Sequence, residues 1–216
     1  FDHYGTGKTI ITSNSLAAGN RAFNIYGGTI QISTNLQINQ GTSALSINMN
    51  NGALIGDTAT SSFALDNAGS FPRSFIIGEG GGAFDVIGGN TLTISGVISG
   101  SGPLALGSAS SSGTLELGAV NTYTGGTTIK GGTVLLSGSL AAGSELTITG
   151  GTLDLDGNTQ SIGSLSNPSL QSGTIVNGTH IGGDANNECK VDLKEGDNEI
   201  VAGQEGSLYR FMLSWE

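Results

Sequence analysis

One step recurs through the middle of the chain and restricts its fold more than anything else in it. Thr114, Thr133 and Thr152 each follow a glycine, each precede an apolar residue, and stand 19 residues apart. Gly89-Asn90-Thr91-Leu92 and Gly173-Thr174-Ile175 fall within a few residues of the same step. A period near 20 residues marks stacked supersecondary units that bury a core only together. Inside the repeat lies Asn121 to Leu136, NTYTGGTTIKGGTVLL. Two Gly-Gly-Thr turns there are each followed by a short β-branched or apolar run, Thr128-Ile129 and Val134-Leu135-Leu136. That is turn, strand, turn, strand, with no room for a helix.

The contents of the repeat decide between solenoids of similar period. A leucine-rich repeat needs an L-x-x-L-x-L frame with a helical return, and a helical repeat needs runs of good helix formers; neither is present. The chain is therefore predicted to be all-β, a parallel β-solenoid whose coils are two or three short strands joined by glycine corners and stacked roughly 4.8 Å apart. At roughly 20 to 25 residues per coil it makes about nine coils. Alternation puts Leu115 and Leu117, Leu153 and Leu155, Leu146 and Ile148, and Ile30 and Ile32 inside, with Glu116, Asp154, Thr147 and Gln31 outside. Outward side chains sit above one another in such a stack, so neutral Thr, Ser and Asn columns avoid the repulsion of stacked like charges.

Three segments are expected. Residues 1–75 carry the pattern irregularly, in triplets such as Phe23-Asn24-Ile25, Ile30-Gln31-Ile32, Leu36-Gln37-Ile38 and Phe63-Ala64-Leu65. Residues 76–185 form the repeat region. Residues 186–216 hold ten of the 24 charged residues, the one Cys and the one Trp. They are predicted to be a distinct C-terminal cap or a strand given to a neighbouring subunit. Tyr209, Phe211, Leu213 and Trp215 would share one strand face there and make the subunit contact.

Composition narrows the partners. Seventeen acidic against seven basic residues give a net charge of −10, which disfavours nucleic acid, whose phosphates need clustered Lys and Arg. Cys189 has no internal partner for a disulfide, so it is a small buried hydrophobe or is available to another chain. No stretch approaches the roughly 18 to 20 apolar residues of a membrane-spanning helix. The chain opens on Phe1 rather than Met, which suggests a removed leader or an excised fragment. An extracellular or cell-surface location is expected.

The central residues resemble the autotransporter-associated β-strand repeat, also called the passenger-associated transport repeat, of exported bacterial surface proteins. The match runs through Gly113-Thr114-Leu115-Glu116-Leu117-Gly118, the stretch Asn121 to Ile129, and Gly131-Gly132-Thr133-Val134. Asn90 to Gly102, NTLTISGVISGSG, is similar to the usual lead-in. The resemblance implies a right-handed parallel β-helix carried to the cell surface or released, with the repeat as scaffold. It implies no chemistry and transfers no functional residue. A complete autotransporter also has a C-terminal membrane barrel, which this sequence does not contain.

Candidate sites are few. Asp154-Leu155-Asp156-Gly157-Asn158 puts two carboxylates beside a turn, a partial match to calcium loops, which makes Asp154 and Asp156 the weak metal candidates. Gly80 to Ile87 approximates a nonapeptide calcium repeat without a tandem copy. No cofactor is otherwise expected. A polysaccharide hydrolase or lyase would need paired acids, for which only Asp154 and Asp156 are near enough in sequence, and His3 and His180 lack partners for a triad. Stacking residues for a glycan amount to Tyr123 and Phe84. Asn177-Gly178-Thr179 is expected to be a corner. The function expected is structural and non-enzymatic, a surface stalk or a subunit stacking end to end into a fibre. A carbohydrate-binding or carbohydrate-cleaving β-helix, or an adhesin fragment, is the alternative.

Overall fold

The computed structural model describes residues 1–12, 23–34, 46–65, 73–166, 173–182, 189–192 and 200–201. Leu36-Gln37-Ile38 and the predicted contact residues Tyr209, Phe211, Leu213 and Trp215 lie outside the described residues. The chain winds as a parallel β-solenoid. Its first turns are β1 (Asp2–His3) with β2 (Lys8–Ile10), then β3 (Phe23–Ile25) with β4 (Thr29–Ile32). Three turns of three strands follow: β5 (Ile47–Met49), β6 (Gly52–Asp57) and β7 (Phe63–Ala64); β8 (Phe75–Ile77), β9 (Gly82–Ile87) and β10 (Thr91–Ile94); β11 (Ile98–Gly100), β12 (Leu104–Leu106) and β13 (Thr114–Leu117). Next come β14 (Thr127–Ile129) with β15 (Thr133–Leu135), and β16 (Glu145–Ile148) with β17 (Gly151–Asp154). The last complete turn is β18 (Thr159–Ile162), β19 (Ser164–Ser166) and β20 (Gly173–Val176), followed by β21 (Thr179–Gly182), β22 (Cys189–Asp192) and β23 (Ile200–Val201).

These strands stack into three faces. The first carries β1-β3-β5-β8-β11 and, later, β18-β21-β22; the second carries the eight strands from β2 to β19; the third runs from β7 to β20 and on to β23. The third face makes about six complete turns, against the nine coils estimated from chain length. The first two turns have no described strand on that face. All pairings are parallel except the last two, where β22 meets β21 and β23 meets β20 in antiparallel sense.

Register follows the repeat residue for residue. Thr91, Thr114, Thr133, Thr152 and Thr174 occupy one outward column of the third face. All eight residues predicted to face inward are buried, at 2 % exposure or less. The core is a set of apolar columns, such as Ile30-Leu54-Phe84-Leu106-Ile129-Ile148 on the second face. Phe84 meets Phe75 of the first face edge to face at 4.8 Å, the geometry that aligns a ring's positive edge with a negative face. Volumes are complementary across the coil. Where the first face offers Ile25 and Ile77, the second offers Gly52 and Gly82, whose Cβ atoms would lie 2.4 and 2.9 Å from those side chains. Of the predicted outward residues, Glu116, Asp154 and Thr147 are partly exposed. Gln31 differs: it is outward in register but only 7 % exposed, with its Nε2 donating to Asp57 Oδ2 at 2.9 Å.

The stretch Asn121 to Ile129 explains how the coil shortens without losing its hydrogen bonds. After β11 the first face has no regular strand for two turns, and two side-chain amides take over. Asn121, 3 % exposed, accepts from Ile98 N–H through Oδ1 at 2.8 Å and donates through Nδ2 to the carbonyls of Ser139 at 2.7 Å and Ala119 at 3.2 Å. Gln160, also 3 % exposed, accepts from Leu140 N–H at 2.8 Å and donates to the Ser161 carbonyl at 2.7 Å. Buried backbone groups need partners, and here an amide side chain supplies both a donor and an acceptor where a neighbouring strand would. Tyr123 is buried beside them, with its hydroxyl 2.5 Å from Thr127 Oγ1.

Burial raises the Tyr123 pKa above 10.0, with the bonds to Thr127 and to the Ala141 backbone opposing it. A folded-state pKa above the unfolded one means that this contribution to stability is complete below pH 10 and is lost as pH climbs through the raised value. Tyr123→Phe should lower stability at pH 7 by about 1 kcal/mol, since Thr127 keeps an unmatched hydroxyl. It should also make the alkaline loss shallower, as read from urea midpoints between pH 8 and 11.

Candidate functional site

The Asp154 and Asp156 pair forms a corner. Asp154, at the end of β17, accepts from the Asp156 backbone N–H at 3.0 Å and from Asn177 Nδ2 at 3.2 and 3.1 Å through its two oxygens. Asp156 and Asn177 themselves hold positive φ, 49° and 56°. An Asp side chain that bonds the backbone two residues on is the usual device for turning a chain sharply. The predicted corner at Asn177 is also a bend, held by its amide's bonds to Asp154 rather than to its own backbone. No group of three or more His, Cys, Asp or Glu positioned for a metal occurs among the described residues.

Other outward carboxylates are tied to neighbouring turns by hydroxyls. Glu116 accepts from Thr93 at 2.9 Å and from Ser137 at 2.5 Å. Asp85 accepts from Ser108 at 2.6 Å, from Ser111, and from the Val86 N–H. Each acid thus bridges adjacent turns, which turns an isolated charge into part of the ladder. The two residues expected to stack against a glycan are unavailable. Tyr123 and Phe84 are 1 % and 0 % exposed, because their alternation places them on the core side of their turns. A shallow trough crosses the second face, with Ala53, Ala83, Ala105 and Thr128 along it and Lys130 and Pro103 at its margins.

The first-turn end is chemically different from the shaft. Three side-chain columns run through it. Asn48 Nδ2 donates to Asn24 Oδ1 at 2.6 Å, and Asn24 Nδ2 donates to Asp2 Oδ1 at 2.5 Å, so the amide relay ends on a carboxylate. Phe1 stacks on Phe23 and Tyr4 on Tyr26, each with centroids 4.9 Å apart, the spacing of adjacent strands. Tyr4 is 71 % exposed, Ile10 55 % and Phe1 38 %. Large exposed hydrophobics are concentrated here. The sequence held a signal for this end: Phe-x-x-Tyr occurs at Phe1 to Tyr4 and again at Phe23 to Tyr26, 22 residues on. The Gly-Thr step that dominates the repeat region does not extend to it.

Backbone polarity at this end follows from the ladder. Thr29 N–H donates to the Gly7 carbonyl and Ile11 N–H to the Gln31 carbonyl, so β2 bonds β4 through its odd-numbered residues. Alternation along a parallel strand then turns the N–H and C=O of Lys8 and Ile10 away from β4. At the opposite end two faces finish in the antiparallel strands β22 and β23. No helix among the described residues is long and apolar enough to cross a membrane. Comparison of the chain with family models, with curated proteins and with solved structures found no match to any of them.

Proposed function

We propose that this chain is an extracellular structural protein, a rigid β-solenoid shaft that joins end to end with further copies into a fibre. One observation carries the reading: the parallel ladders are continuous and in constant register around an apolar core, the build of a stackable shaft. Solenoids need their ends covered, because an end turn exposes core and unpaired backbone alike. Head-to-tail contacts that do not close produce filaments. The resemblance of Asn121 to Ile129 to the passenger repeat supports a scaffold at the cell surface, with the shaft alone as a stalk in that setting. In this reading β22 and β23 belong to a terminal cap within 186–216, and the chain performs no chemical step.

Electron microscopy and sedimentation velocity of the purified protein test it. Filaments or concentration-dependent oligomers are expected, and truncation of residues 207–216 should leave monomers. A monodisperse monomer of the intact chain at high concentration would overturn end-to-end joining. Carbohydrate binding is a second reading, favoured by the stacked and exposed Tyr4 and Tyr26. It predicts retention on immobilised polysaccharide that Tyr4→Ala abolishes, whereas Asp154→Asn would leave it unchanged.

A further inference from the structure

We infer that the shaft carries a built-in hinge where its first face loses its ladder, between β11 and β18, and that it bends there while the other two faces stay joined. The inference concerns the shaft itself and holds whether or not copies join end to end. Chain length is not the cause of the interruption. Nine residues cross the first face in each of four successive turns, 95–103, 118–126, 136–144 and 155–163, yet only the outer two crossings form a strand there, β11 and β18. Content decides it. The inward column Phe23-Ile47-Phe75-Ile98 is continued by Asn121, whose Oδ1 accepts from the Ile98 N–H at 2.8 Å. The next crossing, Leu136-Ser137-Gly138-Ser139-Leu140-Ala141-Ala142-Gly143-Ser144, is mostly small residues, with little apolar surface or β-propensity to hold a strand.

What joins the turns across this gap is compliant. Crossings 118–126 and 136–144 share the backbone bonds from Ser139 N–H to the Ala119 carbonyl and from Asn121 N–H to the Ser139 carbonyl, at 3.0 and 3.2 Å. Past Asn121 the link passes through a side chain, the Tyr123 hydroxyl meeting the Ala141 backbone. From 136–144 to β18, Leu140 N–H donates to Gln160 Oε1 at 2.8 Å, and Gly143 N–H reaches the Ser161 carbonyl at 3.4 Å. The short backbone bond there, Gly163 N–H to the Ser144 carbonyl at 2.8 Å, lies at the corner where the second face begins. A bond made through a side chain follows a change in backbone separation by rotating, which a backbone ladder cannot do. The other two faces run unbroken through the same turns, as β12-β14-β16-β19 and β13-β15-β17-β20. Their shared corner is also tight. A Cβ on Gly131 would run into the Ser108 backbone of the preceding turn, whereas one on Gly143, where the chain leaves the first face, would meet nothing within 4 Å. Bending therefore opens or closes the first face about an unbroken edge.

Spin labels on the two kinds of face read the difference. In a Cys189→Ser background, nitroxides on Ile76→Cys and Ser161→Cys mark the first face on either side of the gap, at two exposed positions. Nitroxides on Thr91→Cys and Thr174→Cys mark the outward threonine column of the third face. Each pair spans four turns, about 19 Å at the strand repeat. Double electron–electron resonance should give the first-face pair a distance distribution at least about twofold wider than that of the third-face pair, the mark of hinge motion confined to one face. Equal widths would overturn the hinge and leave end-to-end joining untouched. Should a labelled chain misfold, as judged by circular dichroism, hydrogen exchange of the unsubstituted protein takes its place. The Ile98 and Leu140 amides, held by side chains, should then exchange at least about tenfold faster than those of Lys130 and Thr152, held by the Leu106 and Gly132 carbonyls in the same stretch of shaft. Equal protection of the two pairs would overturn the inference.

Discussion

Asn121→Ala should cost about 1 to 3 kcal/mol, because it leaves the buried Ile98 N–H without its acceptor and takes one of two donors from each of two carbonyls. The Asn121 side chain bonds the Ile98 N–H and the carbonyls of Ala119 and Ser139, and those carbonyls keep the backbone donors Ser139 N–H and Asn121 N–H. Ile98, Ala119 and Ser139 belong to three successive turns of the first face. In a solenoid, stability is close to a sum over turns and the contacts between neighbours. A defect that spans three turns should therefore weaken the whole segment beyond β11 rather than one loop. Urea denaturation should give a lower midpoint and, if the two halves uncouple, a broader transition. Hydrogen exchange should show the Ile98 amide among the most accelerated. Asn121→Asp tests the chemistry. It keeps the acceptor for Ile98 but turns a carboxylate oxygen toward two carbonyls. Its folded pKa should rise, so this variant should be more stable in acid and lose stability as pH climbs through that value.

The strand faces were readable because alternation and the 19-residue step both survive translation along the axis. Thr114, Thr133 and Thr152 stack in the column their spacing predicts, and Leu115, Leu117, Leu153 and Leu155 are buried as alternation requires. Features that depend on several turns at once were not readable. Little in the local sequence marks Asn121 as a substitute for a missing strand, since two of its three partners lie 23 residues before it and 18 after it. Tyr123 and Phe84 look like stacking platforms until the coil closes and puts them inside. Gln31 occupies an outward position yet is covered, which register alone does not foretell. For the candidate site the asymmetry is sharper. Asp154 and Asp156 attract notice as a pair, but the oxygens of Asp154 are occupied by Asn177 and by the turn itself. The end with the richer surface includes residues 1–4 and 23–26, where only a repeated Phe-x-x-Tyr gave any sign of it.

The two adjacent glycines of the central motif should respond very differently to the same added methyl group. A Cβ on Gly125 would lie 2.3 Å from the Gly102 carbonyl carbon and 2.5 Å from Pro103 N, backbone atoms of the preceding turn. A Cβ on Gly126 would first meet the Glu145 carbonyl oxygen at 3.4 Å, an ordinary contact. Gly125→Ala cannot be relieved by rotating a side chain; the turn carrying Gly102 must move, and with it the ladder contacts of β11 and β12 on either side of that corner. Overpacking a well-filled interior costs about 1 to 3 kcal/mol where side chains can yield, and the figure should stand at or above the top of that range against backbone. Gly126→Ala should fall within about 0.5 kcal/mol of wild type, the usual span for a surface substitution. Paired thermal melts of the two variants measure the difference directly. Equal losses would mean that the glycines are there for backbone freedom alone. A large loss confined to Gly125→Ala would assign the first glycine of the motif to the close approach of successive turns, the constraint that sets the tight step of the repeat.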